Sequence, residues 1–461
     1  MTAPAAPLSQ PPVAPPSGPL VGRVAAELAS LGRLAWPVML SRAAMLLLVS
    51  VDFAMAGRHS TAALGAISLG FSVFIPIMVA GVGLMLGVVS VAARQHGAED
   101  RRGAAQTWAR GMHLALAFGL LGWALCAGAE TLLGWFGHAP ELAASGGAAA
   151  RALAPGIPAV LLFMASAFYL ESAGRTMPVL AAMAAGNLLN FALNAAMIPG
   201  MGAEGAALAS SLARLGMAVG LLLWVLRDAE IRALGRSAFQ PWGPGGWRAA
   251  AEVRALGFAG GASGFFETVA FASLTQAAAL HGTGALGAYS VAHSIEAMVF
   301  MTALGLATAA GVRVGSEVGR GRPGAAALAG WTGLGAAMGL TGAITATLWL
   351  VSGQVAAIYT EDPAVIARVT AAFGIVAISL VFDAGQAVMG QLVRALGDTW
   401  AGAGIFFFAF FCVMAPSGWW LALGAGMGEK GLFLGTLMGC ATAVILLSWR
   451  FARLLERRRN A

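Results

Sequence analysis

Twelve stretches of this 461-residue sequence are each long and apolar enough to cross a bilayer, and that count constrains the fold more than any single motif. A hydrocarbon core of about 30 Å takes roughly 20 apolar residues of helix. The spans run Leu34 to Gly57, Ala63 to Ala93, Gly111 to Leu133, Ala152 to Leu170, Pro178 to Ile198, Gly205 to Leu226, Leu256 to Leu280, Leu286 to Val312, Ala325 to Val351, Val365 to Leu392, Gly402 to Leu423 and Gly431 to Phe451. Composition points the same way. Charged residues make up 10% and hydrophobic ones 59%, where a soluble domain carries about 25% charged residues. Soluble globular folds are excluded, and so are disordered or fibrous ones, because the 63 glycines follow no collagen period.

Between the spans lie short polar connections, with one exception. Residues 227–255 hold several charges and the run Gln240-Pro-Trp-Gly-Pro-Gly-Gly-Trp247, the signature of a linker. The expected organisation is a disordered cytoplasmic tail over 1–22, an N-lobe six-helix bundle over 23–226, this cytoplasmic linker over 227–255, a C-lobe bundle over 256–452 and a basic cytoplasmic tail over 453–461. Met1 to Pro19 carry no charged side chain and so lack the basic region of a signal peptide. With the N-terminus inside, 21 of the 27 Lys and Arg fall on the cytoplasmic side and only Arg58, Arg151, Arg368 and Lys430 outside. That asymmetry puts both termini in the cytoplasm of a multi-pass cell-membrane protein. It also accounts for the net charge of +7 without any nucleic-acid partner.

The chain repeats itself. Ala63-Leu-Gly-Ala-Ile-Ser68 returns as Ala285-Leu-Gly-Ala-Tyr-Ser290, and Gly200-Met-Gly-Ala-Glu-Gly205 as Gly426-Met-Gly-Glu-Lys-Gly431. Arg175-Thr176 parallels Asp398-Thr399 at a similar shift. A six-helix unit has therefore been duplicated. Because six is even, both copies enter the membrane from the same side and are related by a pseudo-two-fold along the membrane normal. Two parallel bundles with a cleft between them are a natural scaffold for alternating access.

An ionised carboxylate at mid-bilayer costs about 2.5 to 3.5 kcal/mol on insertion scales, so acids inside spans need a reason. Four qualify: Asp52, Glu267, Glu296 and Asp383. Each is either a carboxyl bonded to a neighbouring helix or a cation site. Glu296 follows His293 by three residues on one helical face, so a local pair and a transport role are both open to it. In general a buried carboxyl is a cation switch: desolvation disfavours its charge and a bound cation restores it. Proton, sodium ion and organic cation then compete for one negative charge, which is enough for antiport. Exchange of one proton for a monovalent cation moves no net charge and runs on the pH difference alone.

Asn187, Asn190 and Asn194 place three amides along one face of span 5, either as helix-to-helix bonds or as a polar lining beside Asp52. Arg42 and Arg214 are expected to pair with acids or to snorkel inward. Thr176 and Asp398 read as helix N-caps. Phe265, Phe266 and Phe271 flank Glu267, either as core or lipid-facing rings or as partners of an aromatic cation. Cys126, Cys412 and Cys440 lie far apart in apolar runs and imply neither a disulfide framework nor a metal centre. No His-Glu-x-x-His pattern exists and His293 has no second histidine at ligand spacing, so a membrane enzyme is not expected.

These residues resemble the multidrug and toxic compound extrusion (MATE) family over nearly the whole chain. Val51-Asp52-Phe53 with Gly57 and Ala63-Leu-Gly-Ala66 resembles its first-span segment, and Gln95-His-Gly-Ala-Glu-Asp100 its loop after span 2. Leu392-Val-Arg-Ala-Leu-Gly-Asp-Thr399 is similar to its segment after span 10. Phe265-Phe-Glu267, Phe382-Asp383 and the pair Asn190 and Asn194 resemble the marks of its NorM-type branch. Glu296 and Glu171 depart from the pattern. The resemblance implies an all-α, V-shaped, twelve-helix fold and export of cationic amphipathic compounds against sodium ions or protons. It assigns Asp52, Asn190 and Asn194 to an N-lobe site, and Glu267 with Asp383 to a C-lobe cation site that is the candidate sodium site. A monomer among membrane lipids is expected, with no cofactor beyond the coupling ion. The alternative is a lipid-linked saccharide flippase of related fold, whose cleft would be wide and basic where these candidates are acidic.

Overall fold

The computed structural model describes residues 20–136, 139–240, 242–360 and 362–460. The expected tail lies outside the described residues up to residue 19, and Leu20 already opens the first helix. Among the described residues, eleven helices are long and apolar enough to cross a membrane. One of them, Met177–Val225, is 49 residues long and broken at Gly202, whose φ of 55° and ψ of −126° no helix accommodates. A residue with a Cβ would resist that backbone, which a glycine adopts freely. The break divides it into two limbs, each longer than the roughly 20 residues a crossing requires. Eleven helices thus supply twelve crossings.

In chain order the crossings are α1 (Leu20–His59), α2 (Thr61–Gly97), α3 (Arg101–Ala127), α4 (Pro140–Ser172), α5 (177–201) and α6 (203–225) in one half. The other half holds α7 (Ala251–Leu280), α8 (Thr283–Gly319), α9 (Pro323–Leu350), α10 (Pro363–Ala395), α11 (Trp400–Gly424) and α12 (Glu429–Asn460). The helices outrun the apolar spans at charged ends: α12 carries Arg457, Arg458 and Arg459 in its last turn. Water satisfies the polar faces there, so a helix need not stop where the lipid does.

Each half has its own core. Phe71, Phe74, Met85 and Phe163 centre the first, and Met389, Phe410, Phe433 and Phe451 the second. The halves are joined by exchange. Helix α1 packs on α8 of the other half, and its counterpart α7 packs on α2, as the duplication requires. Along its length α1 changes allegiance: Leu31 and Ala35 belong to the second core, Leu48 and Ala56 to the first. The lobes therefore meet at the end where α1 and α7 begin and diverge toward the end where α1 finishes. That divergence makes the V.

Backbone-to-backbone approach holds the seam. Gly83 and Gly87 on α2 meet Gly257, Gly260 and Gly261 on α7, and a Cβ on Gly83 would stand 2.7 Å from the Gly261 Cα. Small residues at four-residue spacing allow such contact, which in lipid replaces the missing hydrophobic drive between helices. Charge seals the same end. Arg313 on α8 forks onto Glu27 of α1 through Nε and Nη2, both at 2.8 Å, while Arg94 on α2 pairs with Glu252 of α7 and donates to the Ala395 carbonyl at 3.0 Å.

Candidate functional site

Two polar clusters lie within the bundles, one per lobe. In the N-lobe, Asp52 on α1 is 0% exposed. Its Oδ1 accepts from Asn190 Nδ2 at 2.9 Å and from Asn194 Nδ2 at 2.7 Å, and its Oδ2 accepts from the Ser210 hydroxyl on α6. Asn194 also donates to Asn190 Oδ1 at 3.2 Å. The helical spacing of the two asparagines makes this convergence possible, since residues four apart share a face. Asn187 takes another course: its amide donates to the Ala44 and Met183 carbonyls, both at 3.0 Å, and ties α5 to the α1 backbone.

In the C-lobe, Glu267 on α7 and Asp383 on α10 are bridged by one side chain. Gln386 Nε2 donates to Glu267 Oε1 at 3.2 Å and to Asp383 Oδ1 at 3.0 Å. Asp383 and Gln386 are 3% and 1% exposed, and the Cys440 thiol on α12 stands 3.6 Å from Asp383 Oδ1. Glu296 on α8 pairs through Oε2 with His293 Nδ1 at 3.1 Å, and its buried Oε1 has no hydrogen-bond partner among the described residues. Its charge is within electrostatic reach of both Glu267 and Asp383. Against these acids stands Arg394, within reach of Glu267 and bonded by Nε to Gln391 Oε1 at 3.1 Å.

Aromatic rings pack around this cluster. Phe266 meets Phe407 and Phe411 of α11 edge to face at 5.3 and 5.7 Å, Phe271 lies 5.2 Å from His293, and Phe265 is exposed. Among the described residues, no three His, Cys, Asp or Glu side chains gather as a metal centre would need.

Several residues take part that the sequence reading passed over. Ser210 and Gln386 complete the two carboxyl networks, and Cys440 touches the second. Hydroxyl and amide groups cost less to bury than a carboxylate and find partners on their own or a neighbouring helix, so neither stands out in the sequence as an acid does. The spacing of Gln386, three residues after Asp383, was the available signal. One expectation needs correction. Asp398 caps no helix: its Oδ2 accepts from Arg450 Nε at 2.6 Å, tying the start of α11 to α12, and the cap position falls to Thr399. Thr176 holds the N-cap position of α5, as expected, although its side chain makes no capping bond. Arg42 is paired, as expected, by Nη2 to both oxygens of Glu171 at 3.1 and 3.0 Å. Arg214 neither pairs so nor snorkels; it is 3% exposed.

Comparison with known proteins agrees with this architecture. The sequence profile of the MatE family matches residues 37–196 and again 262–420, once in each half. The chain is 32% identical over 462 residues to a probable multidrug resistance protein NorM of Caulobacter vibrioides, covering 97% of this chain and 95% of that one. It is 31% identical to the multidrug resistance protein PmpM of Pseudomonas aeruginosa, covering 94% and 93%. Among solved structures, a MATE family transporter described in an outward-facing conformation superposes with a TM-score of 0.85 at 22% identity, covering 93% of this chain and 96% of the other. With one profile match per lobe and relatives more than 30% identical over nearly the whole of both chains, the chain belongs to the multidrug and toxic compound extrusion family, on its NorM-type branch, and is a multi-pass membrane transporter rather than an enzyme.

Proposed function

We propose that this chain is a secondary active antiporter that exports cationic amphipathic compounds in exchange for sodium ions or protons. The observation that carries this reading is the Glu267 and Asp383 pair. Two acids from different helices share one amide donor, so together they retain more negative charge than their surroundings satisfy. A site of this kind accepts one cation and must release it before another enters. Each occupant then stabilises its own state of the V, and exchange follows from competition. Asp52 with Asn190 and Asn194 forms the N-lobe counterpart, Glu296 adds charge beside the C-lobe pair, and Asn187 orients α5. The coupling ion needs no bound cofactor.

The arginine-rich end faces the cytoplasm on this reading, with both termini inside and the monomer embedded in lipid. The lobes are then closed toward the cytoplasm and parted toward the outside, ready to release an organic cation and take up the coupling ion. Acidic rather than basic candidates favour organic cations over lipid-linked saccharides. A tenfold uphill gradient of substrate costs about 1.4 kcal/mol, which one opposing tenfold ion gradient offsets.

Flux in proteoliposomes tests this. A sodium gradient and a pH gradient are imposed separately with a fluorescent organic cation as substrate. Wild type should accumulate it with one of the two, and the combined Asp52→Asn, Glu267→Gln and Asp383→Asn variant should not. Transport indifferent to both gradients, or undiminished in that variant, rejects the mechanism.

A further inference from the structure

The last two crossings of each lobe form a hairpin that is closed at both ends. One end turns at the repeated Gly-Met-Gly of residues 200–202 and 426–428, with Gly202 and Gly428 at positive φ. Along the hairpin, glycines bring the limbs together: a Cβ on Gly186 of α5 would overlap the Met217 side chain of α6, and one on Gly439 of α12 would overlap Met414 of α11. An ion pair closes the other end. In the N-lobe Arg175, just before α5, donates from Nη1 to Oδ2 of Asp228, just after α6, at 3.0 Å. In the C-lobe Arg450 on α12 donates from Nε to Oδ2 of Asp398, just before α11, at 2.6 Å. Arg175 and Asp398 hold the same place in the repeat, and their partners follow 53 and 52 residues later. The sign is reversed: the N-lobe has its base before the hairpin and its acid at the far limb, the C-lobe the opposite. Both partners differ together, so what the lobes share is the attraction and not the charge at either position.

These hairpins serve the two carboxyl clusters. All three donors to Asp52 come from one of them, Asn190 and Asn194 from α5 and Ser210 from α6, while Asp52 itself comes from α1. Helix α5 supplies Oδ1 and α6 supplies Oδ2, so the carboxyl keeps its donors only while the two limbs keep their register. A slide of one residue's rise, about 1.5 Å, carries a donor out of hydrogen-bond range. A seam of small residues sets the spacing of two helices but offers few ridges to stop one sliding along the other. In the C-lobe the hairpin brings Phe407 and Phe411 of α11 to Phe266, and Cys440 of α12 to Asp383. We propose that Arg175 with Asp228, and Asp398 with Arg450, are sign-reversed latches that fix the register of these hairpins, which makes all four positioning residues for the carboxyl sites. A helix resists stretching, so a tie at residue 175 holds Asn190 about 22 Å further along the axis. The consequence for transport rests on the antiport reading above, but the latch itself does not.

Spin-label distances across each hairpin, measured on the full chain in lipid nanodiscs, test the latches without substrate or gradient. Exposed positions on the two limbs take the labels, Phe191 with Val219 in one lobe and Phe408 with Ile445 in the other, after Cys412→Ser removes the exposed thiol. Arg175→Gln should broaden the first distribution or shift its mean by about 1.5 Å, one residue's rise, and leave the second unchanged. Arg450→Gln should do the converse. Arg175→Lys should restore the first, and the exchange Asp398→Arg with Arg450→Asp, which gives the C-lobe the sign order of the N-lobe, should restore the second. In proteoliposomes the half-saturating concentration of a fluorescent organic cation should rise about threefold in each Gln variant, a change within the reach of a partly exposed ion pair, and return in the restored ones. Unchanged distances in both Gln variants overturn the latch, and so does an exchange variant no better than Arg450→Gln. Distances that respond while the half-saturating concentration does not overturn the positioning role. Wild type that transports with neither gradient defeats the antiport reading and leaves the distances to judge the latch. Should Arg450→Gln fail to fold, native melting recovered in the exchange variant supports the latch and its absence overturns it.

Discussion

Gly97 and Gly319 each press against the helix that carries the other. A Cβ on Gly97 would overlap the Ser316 carbonyl oxygen of α8, and a Cβ on Gly319 would overlap the Arg94 carbonyl oxygen of α2. The two glycines are 222 positions apart, as are Arg94 and Ser316 and the two Ala-Leu-Gly-Ala segments, so the contact sits on the pseudo-two-fold itself. The duplication of the chain is expressed as a reciprocal clamp at the closed end of the V.

Alanine at either position has nowhere to put its methyl group, because the opposing atom is backbone and cannot rotate away. The cheapest response is for α2 and α8 to separate at that end. We expect Gly97→Ala and Gly319→Ala to shift spin-label distances between these helix ends to longer values and to lower transport at least about tenfold, equivalent to about 1.4 kcal/mol of bias. An unchanged distance distribution in both variants refutes the clamp.

The cross-lobe ion pairs are quasi-equivalent in place and unequal in strength. Glu27 to Arg313 joins α1 to α8 through two parallel bonds at 2.8 Å, with Glu27 only 11% exposed. Glu252 of the other pair is 57% exposed. A sheltered, forked pair is worth about 1.5 to 3 kcal/mol, while solvent screening reduces an exposed one to about 0 to 1 kcal/mol. Glu27→Gln should therefore open the closed end more than Glu252→Gln, read as faster labelling of cysteines placed on the inner ends of α2 and α8. Equal labelling rates would contradict this ranking.

How far the sequence discloses such features depends on their physical cost. Crossing a bilayer demands long apolar runs, so the twelve crossings are visible, although α1 begins at Leu20 rather than Leu34 because its first turns leave the lipid. Acids in lipid are conspicuous, and Asp52, Asn190 and Asn194 converge as helical spacing suggests. Ser210 and Gln386 carry a smaller cost than a carboxylate and stand out only once the helices are packed. The pairing of Glu27 with Arg313 is invisible because 286 residues separate them and charges at helix ends are ordinary. Asn187 shares the face of its two neighbours yet bonds to backbone, which only the approach of α1 decides.

Arg42 and Glu171 offer a test of buried charge away from both carboxyl networks. Their side chains are 7% and 1% exposed, and the guanidinium lies 5.3 Å from the Phe168 ring centre. Removing one partner leaves an unpaired charge in the bundle, a loss of about 3 to 5 kcal/mol, whereas replacing both with apolar residues of similar volume is close to neutral. We expect Glu171→Gln to lower the melting temperature sharply and Arg42→Met with Glu171→Leu to recover most of it. A double variant no more stable than the single one would show that the pair specifies the fold of this lobe beyond its charge balance.

Gln386 gives the C-lobe site a further measurable sign. Its amide donates to Glu267 and to Asp383 at 3.2 and 3.0 Å, so it stabilises the pair when no cation is bound. Hydrogen bonds to charged groups contribute about 1.5 to 3 kcal/mol. On the antiport reading, Gln386→Leu removes that support from the empty site and leaves the carboxyls to a cation alone. The loaded site loses less, because the ion replaces the amide. The half-saturating concentration of the coupling ion should therefore fall by about tenfold or more, at about 1.4 kcal/mol per decade. Maximal turnover should fall with it, since release of the ion becomes limiting. Steady-state efflux against ion concentration in proteoliposomes separates the two effects. A rise in the half-saturating concentration would mean instead that the amide, turned to present its oxygen, is itself a ligand of the ion.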